Sequence, residues 1–340
     1  MASTNPPRNG CAVLALGQAG TALGRRLAQS LPGDFFPCTG RLPEVMHTVW
    51  HGYREIVCVM AAGIVVRSIA PLLRDKQHDP AVVVCDVAGR FAVSLLSGHL
   101  GGANALAQRV ALCTGGQAVL TTASDTLGRT ALDLWCRDQG LVPASKSAFT
   151  RAMAQLVDQG RLTIWSRLPL PELPPDLCAV ATADQADLVI DNQTTAPTGA
   201  TLLHPKNLAL GVGCNRGTSA AAIARAVEAT CAQHALAQAS IARLASIDLK
   251  ADEPGLLEFA RDRGLPLVFY NKDQLNEVEG VDASAVVERV TGARAVAEPA
   301  ALLAAGPGAT LLCPKMKWTD VTTALAEAVH PLQPPQQTEP

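Results

Sequence analysis

Aromatic residues are scarce in this chain, 4% of 340 residues, too few to line a groove on which successive bases stack. Charge is scarce as well. Lys, Arg, Asp and Glu make up 17%, and 28 basic side chains stand against 30 acidic ones, so no net field draws nucleic acid or an acidic membrane surface. No apolar run reaches the roughly 18 residues of a membrane span, and MASTNPPRNG at the start holds no apolar signal core. The ten cysteines stand singly between Cys11 and Cys313, without the CxxC or Cys/His spacing of zinc or a redox dithiol. Cys58 and Cys85 interrupt apolar runs, as buried reduced thiols do. These absences predict a soluble, cytoplasmic protein. No P-loop, HExxH or GxSxG motif occurs. GQAGTALG (17–24) lacks the GxGxxG spacing, which leaves a nucleotide-dependent oxidoreductase the weakest reading.

What is present is a well-buried globular chain, 48% hydrophobic and long enough for two domains with cores of their own. Strand-like runs alternate with helical patterns over most of it. Residues 11–16, 55–61, 82–84, 91–96 and 118–122 read as strands, and 17–30, 63–74, 103–113 and 129–139 as helices. From 142 to 205 the signals weaken: 149–157 looks helical, 162–165 and 188–190 like short strands, and the Leu/Pro run 168–175 fits neither. Strand and helix then alternate again from 208. The predicted fold class is α/β, with two three-layer α/β units on mixed or parallel sheets. The units span 1–141 and 206–330, joined by a small intermediate subdomain at 142–205, with a disordered Pro/Gln-rich tail at 331–340.

Three clusters carry candidate chemistry. The first follows the hairpin 79–96 and is the glycine-dense loop Ser97-Gly98-His99-Leu100-Gly101-Gly102 leading to Asn104. Free backbone N–H groups at such a strand–loop–helix junction suit an anion, and His99 titrates in the physiological range. With Asp86 or a carbonyl to orient it, His99 would act as general base or acid. A tight turn with a backbone-bonded histidine is the plain alternative. The second cluster is Gly211–Ser219, in which Gly213-Cys214-Asn215-Arg216-Gly217-Thr218-Ser219 is a glycine-bounded turn entering an Ala-rich helix capped by Thr218 or Ser219. There Arg216 would add charge-assisted bonds to a carboxylate; an ordinary capped turn explains it equally well. The third is the charged stretch 246–254, with Asp248, Lys250 and Glu253, which read by itself is a solvated loop and helix start.

At these clusters the sequence resembles the cobalt-precorrin-5A hydrolase family of cobalamin biosynthesis. The matching stretches are AAGIVVRSIAPLL (61–73), KQHDPAVVVCDVAGRFAVSLLSGHLGGANALA (76–107), LGVGCNRGTS (210–219), SIDLKADEPGLLEFA (246–260), VAEPAALLA (296–304) and CPKMK (313–317). The family opens a δ-lactone on a corrin precursor, and a bridging carbon leaves with its methyl as acetaldehyde, giving cobalt-precorrin-5B. The resemblance therefore implies a polycarboxylated cobalt macrocycle as substrate, with the cobalt belonging to that substrate and neither a cofactor nor a protein metal site. It implies His99 as the group activating water, Lys250 or loop N–H groups as oxyanion donors, and Glu253 or Asp248 as the base for carbon–carbon cleavage. Arg67, Arg216, Lys250 and Lys315 would hold substrate carboxylates, with Ser97, Gly98, Gly101, Gly102, Asn104, Gly213 and Asn215 lining the site. Asn215 stands where many relatives carry a second basic residue before Arg216. Other corrin-pathway enzymes and a second copy of the chain are the protein partners it leaves room for. The C-terminal unit also resembles small stand-alone proteins of the aerobic corrin pathway, so the alternative function is a carrier of corrin intermediates.

Overall fold

The computed structural model describes residues 8–75, 78–170 and 172–331, and the expected tail at 331–340 lies outside them except for Pro331. The chain divides into two units after Leu134.

In the first unit unbroken apolar runs build a sheet buried on both faces. Its elements are β1 (Arg8–Ala15), α1 (Gly17–Ser30), β2 (Gly33–Pro37), α2 (Leu42–Gly52), β3 (Tyr53–Val59), α3 (Ala62–Ile69), β4 (Ala81–Cys85), β5 (Phe91–Leu96), α4 (Ala103–Thr114), β6 (Gln117–Val119), α5 (Ala123–Thr126) and α6 (Leu132–Asp138), the last running on into the second unit. The strand order is β2-β1-β3-β4-β5-β6. Along β1 successive side chains point to opposite faces. Cys11, Val13 and Ala15 join Leu23 and Leu27 of α1 and Leu106 and Val110 of α4. Ala12 and Leu14 join Met46 and Val49 of α2 and Val65 and Ile69 of α3. Helices on both faces make this a three-layer α/β unit.

β5 runs antiparallel to β4, while β6 runs parallel to β5. The loop after β5 therefore lies at the edge where β1, β3 and β4 begin, and the Ser97 hydroxyl donates to the carbonyl of Asp79 there, 3.1 Å away. The helical pattern at 63–74 is shorter than the sequence suggests: α3 stops at Ile69, and Pro71 turns the chain into a 3₁₀ turn over 70–72. β2, α2 and α5 went unread, and β6 ends at Val119.

The second unit holds two five-stranded sheets. The weakly patterned region contributes β7 (Leu141–Pro143), α7 (Lys146–Gln159), β8 (Leu162–Ser166), β9 (Leu177–Ala179), β10 (Leu188–Ile190) and β11 (Thr201–Pro205), in the order β7-β11-β10-β8-β9. Glu327 fastens this sheet to the next, taking a side-chain pair from Arg167 and hydrogen bonds from Asn192 (2.7 Å) and Asn207 (2.9 Å).

The second sheet is built from β12 (Leu208–Cys214), α8 (Ala220–Gln233), β13 (Ile241–Ile247), α9 (Pro254–Arg263), β14 (Leu267–Tyr270), α10 (Lys272–Asn276), α11 (Ala285–Thr291), α12 (Ala297–Ala305), β15 (Thr310–Lys317) and β16 (Val321–Glu327), ordered β14-β13-β12-β16-β15. Leu208, Leu210 and Val212 pack under α8 and α9. The opposite face receives α12, whose buried positions are almost all alanine. This helix is seated so low that a Cβ on Gly211 would stand 1.8 Å from the carbonyl oxygen of Ala297. Only glycine fits there. Ser219 caps α8 as expected, its hydroxyl accepting the N–H of Ala222.

Candidate functional site

The first unit gathers its chemistry where β5 and β6 end. Ser97 adopts φ +59° and Gly102 φ +91°, which bends the loop sharply into α4, and a Cβ on Gly101 would strike Ser97. The loop closes on itself. The N–H groups of Ala103 and Asn104 donate to the carbonyls of Ser97 (3.1 Å) and Gly98 (2.9 Å), and that of Gly102 donates to His99 (2.9 Å). These three N–H groups are spent on the turn and so are not offered to an anion.

The turn presents His99 to two carboxylates on opposite ring nitrogens. Nε2 lies 2.8 Å from Asp125 Oδ2 and 3.1 Å from the Ser124 hydroxyl, and Nδ1 lies 3.4 Å from Asp133 Oδ1. Asn104 donates from Nδ2 to the same Asp125 oxygen (2.9 Å) and to Thr122 Oγ1 (3.1 Å), and the Thr122 hydroxyl donates to Asp125 as well. The bond to Asp133 and then Asp125, against partial burial, raise the His99 pKa to about 9. Burial opposes ionisation of both acids. Hydrogen bonds from Thr122 and His99 nevertheless hold Asp125 below the usual carboxylate range, and His99 does the same for Asp133. The two carboxylates thus favour the imidazolium at neutral pH, which suits the acid role of the two, base or acid, expected of His99.

Asp86 takes no part. It accepts the N–H groups of Ala88 (2.9 Å) and Phe91 (2.7 Å) inside its own hairpin turn, so Asp125 and Asp133 orient His99 instead. Asp125 carried one signal in the sequence, its place three residues after Thr122 at a helix start. Asp133 carried none. Arg67 is also elsewhere: its guanidinium turns back to the carbonyl of Gly63 (2.6 Å) at the start of α3, beyond the carboxyl end of β3 and so at the opposite edge of the sheet.

The second unit brings its predicted cations together at the carboxyl edge of β12 and β13. Gly213, Asn215, Arg216, Lys250 and Lys315 line one cavity of about 440 Å³, together with Lys317, which the sequence reading missed. Lys317 follows Lys315 by two positions on β15 and so shares its face. Val287, Val290, Val296 and Trp318 form apolar walls. The volume lies within the range of small-molecule sites. Asn215 is tied to Asp320 through its side chain (2.9 Å), and β12 runs through Cys214, so the expected glycine turn is confined to 215–218.

Beneath the cavity the acids serve the cations. Glu253 is 1% exposed; it accepts the Gly217 N–H (2.8 Å) and pairs with Lys250 (3.1 Å). Burial pushes its pKa up, but Gly217 and Lys250 outweigh burial and leave it below the usual value. A buried, paired carboxylate is no base for a substrate proton, which corrects the role expected for Glu253. Arg216 is steered by Asp252 (2.5 Å) and the carbonyl of Leu249 (2.9 Å). Asp248 is exposed, and its carbonyl accepts the Ala251 N–H; it does not line the cavity.

Comparison with known proteins gives a consistent picture. The family description "Cobalamin synthesis G N-terminal" matches residues 44–125, and "Cobalamin synthesis G C-terminus" matches 208–326. The chain is 36% identical to "Cobalt-precorrin-5A hydrolase" of Priestia megaterium over 309 residues, covering 85% of this chain and 82% of the relative. It is 31% identical to the protein of the same name from Salmonella typhimurium, covering 86% and 91%. "Protein CobE" of Sinorhizobium sp is 36% identical over 122 residues, 35% of this chain and 79% of that protein.

Proposed function

The chain belongs to the cobalamin synthesis G family, and from that premise we infer that it is a cobalt-precorrin-5A hydrolase. It opens the δ-lactone of its substrate and releases acetaldehyde to give cobalt-precorrin-5B. The observation that carries this reading is the 36% identity, over most of both chains, to a protein of that name. Among the described residues no helix is long and apolar enough to cross a membrane, in keeping with a polar, polycarboxylated substrate.

Each unit holds a cluster that suits part of this chemistry. In the first unit His99 is the acid. Its imidazolium stabilises charge developing on the lactone carbonyl and supplies a proton to the departing ring oxygen. The cavity of the second unit, with Lys250, Lys315, Lys317 and Arg216, suits a carboxylate-bearing ligand, and Val287, Val290 and Val296 offer it apolar surface. The cobalt arrives with the substrate.

The test is direct. Purified protein is incubated with cobalt-precorrin-5A, and acetaldehyde and the corrin product are measured. Stoichiometric-excess release of acetaldehyde is the expected result. Substrate retained unchanged on the protein would favour the carrier function instead.

A further inference from the structure

An acid at His99 leaves the reaction without a base. Water must lose a proton to attack the lactone, and the hydroxyl set free must lose one before the carbon–carbon bond breaks. Glu253 is buried against Lys250, and Asp86 is closed in its turn. Asp133 has a side chain 11% exposed behind the ring. Asp125 differs from all three. Its side chain is 35% exposed, and Oδ2 alone takes the three donors Thr122, Asn104 and His99. His99, Asn104 and Thr122 thus all hold the carboxylate from its Oδ2 side, and the backbone N–H of Asp125 steadies it as well.

We propose that Asp125 is the general base of the reaction, anchored through Oδ2 and presenting Oδ1 to water and then to the substrate hydroxyl. The proposal rests on the hydrolase reading. In the first step a water proton passes to Asp125 Oδ1 as the hydroxide oxygen bonds to the lactone carbonyl carbon. The ring C–O bond breaks, and the leaving oxygen takes its proton from His99, which recovers one from Asp125. In the second step Asp125 takes the hydroxyl proton, the C–O bond becomes a carbonyl, and the adjacent C–C bond breaks. Its electron pair passes to the macrocycle, which receives the proton back, and acetaldehyde leaves. One water is consumed and no oxidant or reductant is needed. The anchoring explains why a threonine, an asparagine and a histidine converge on one oxygen: a fixed Oδ2 aims the other lone pairs.

Three variants of the full chain test this with cobalt-precorrin-5A. Asp125→Asn keeps the shape and is expected to lower kcat for acetaldehyde release by about 10²–10⁴-fold, with KM little changed. Asp125→Ala is expected to regain at least about tenfold of its lost rate when formate is supplied as an external base, which a merely structural role would not allow. In the wild type, kcat/KM should fall on the acid side as Asp125 is protonated and on the alkaline side near pH 9 as His99 loses its proton. The charged groups facing Asp125 are His99 from the loop after β5 and, through that ring, Asp133 from α6. The acid limb should vanish in Asp125→Asn. Asp125→Glu, which keeps the charge, should retain partial turnover and guards against a folding defect in the other two. Near wild-type kcat in Asp125→Asn, or lost activity without formate rescue and with the acid limb intact, overturns the assignment. If the wild type binds substrate and releases no acetaldehyde, the hydrolase reading itself fails and takes the proposal with it.

Discussion

The two clusters use the same pairing, acid beside base, to opposite ends. In the first unit two carboxylates flank one imidazole and set where a proton resides. In the second, Glu253 and Asp252 hold Lys250 and Arg216 in place at the wall of a cavity. The first arrangement is built around a transferable proton and the second around fixed charge. Ion pairs alone therefore do not mark a catalytic centre. A partner whose proton can be handed on is the better mark of one.

The difference predicts how each region should fail. The largest effect belongs to His99. His99→Ala should cut kcat for acetaldehyde release by about 10²–10⁴-fold while substrate binding, followed by absorbance titration, stays within a few-fold. A KM effect without a kcat effect would erase the distinction between the regions.

Lys250 comes next, and its loss should register in stability. Lys250→Met leaves the buried Glu253 with only the Gly217 N–H and the Arg216 guanidinium, 3.8 Å away, to answer its charge, and should cost up to about 3 kcal/mol in chemical denaturation, because a buried charge that loses a partner is expensive. Adding Glu253→Gln should recover much of that loss. Strict additivity would mean the pair is not coupled.

The third prediction is a pH dependence. Folding raises the His99 pKa from 6.5 to about 9, so the associated stabilisation is whole below pH 6.5 and drains away as pH climbs through 9. It amounts to about 2 kcal/mol once solvent screening is allowed for. The wild-type unfolding midpoint should fall between pH 7 and 10 more steeply than that of His99→Ala. Parallel curves would show that the carboxylate pair does not hold the proton. The smallest effect is expected from Lys317→Ala: an exposed, unburied charge at the cavity should raise KM about two- to fivefold and leave kcat alone.

Much of this architecture was legible in the residues. The continuous apolar runs of β1 and β4, the Pro start of α9 and the Ser219 cap all declare themselves locally. The middle sheet is legible only in part: 162–165 and 188–190 mark β8 and β10, but β7 and β9 have only three residues each, too short for a period to register, and prolines crowd the loop after β8. His99 stood out by sitting among glycines. Asp133 was invisible, since its meeting with His99 depends on where α6 begins relative to a loop more than thirty residues earlier. Asp86 was drawn in by nearness in sequence, while its own hairpin had already claimed it.

The contact between Gly211 and α12 also bears on how this chain tolerates change. Val296 and Ala297, at the start of that helix, are part of the cavity wall, and the helix lies where it does because neither surface carries bulk. A single methyl added at Gly211 would push that wall outward and reshape the binding space without touching a charged group. Substitutional intolerance in this protein thus extends to alanines and a glycine that carry no chemistry of their own.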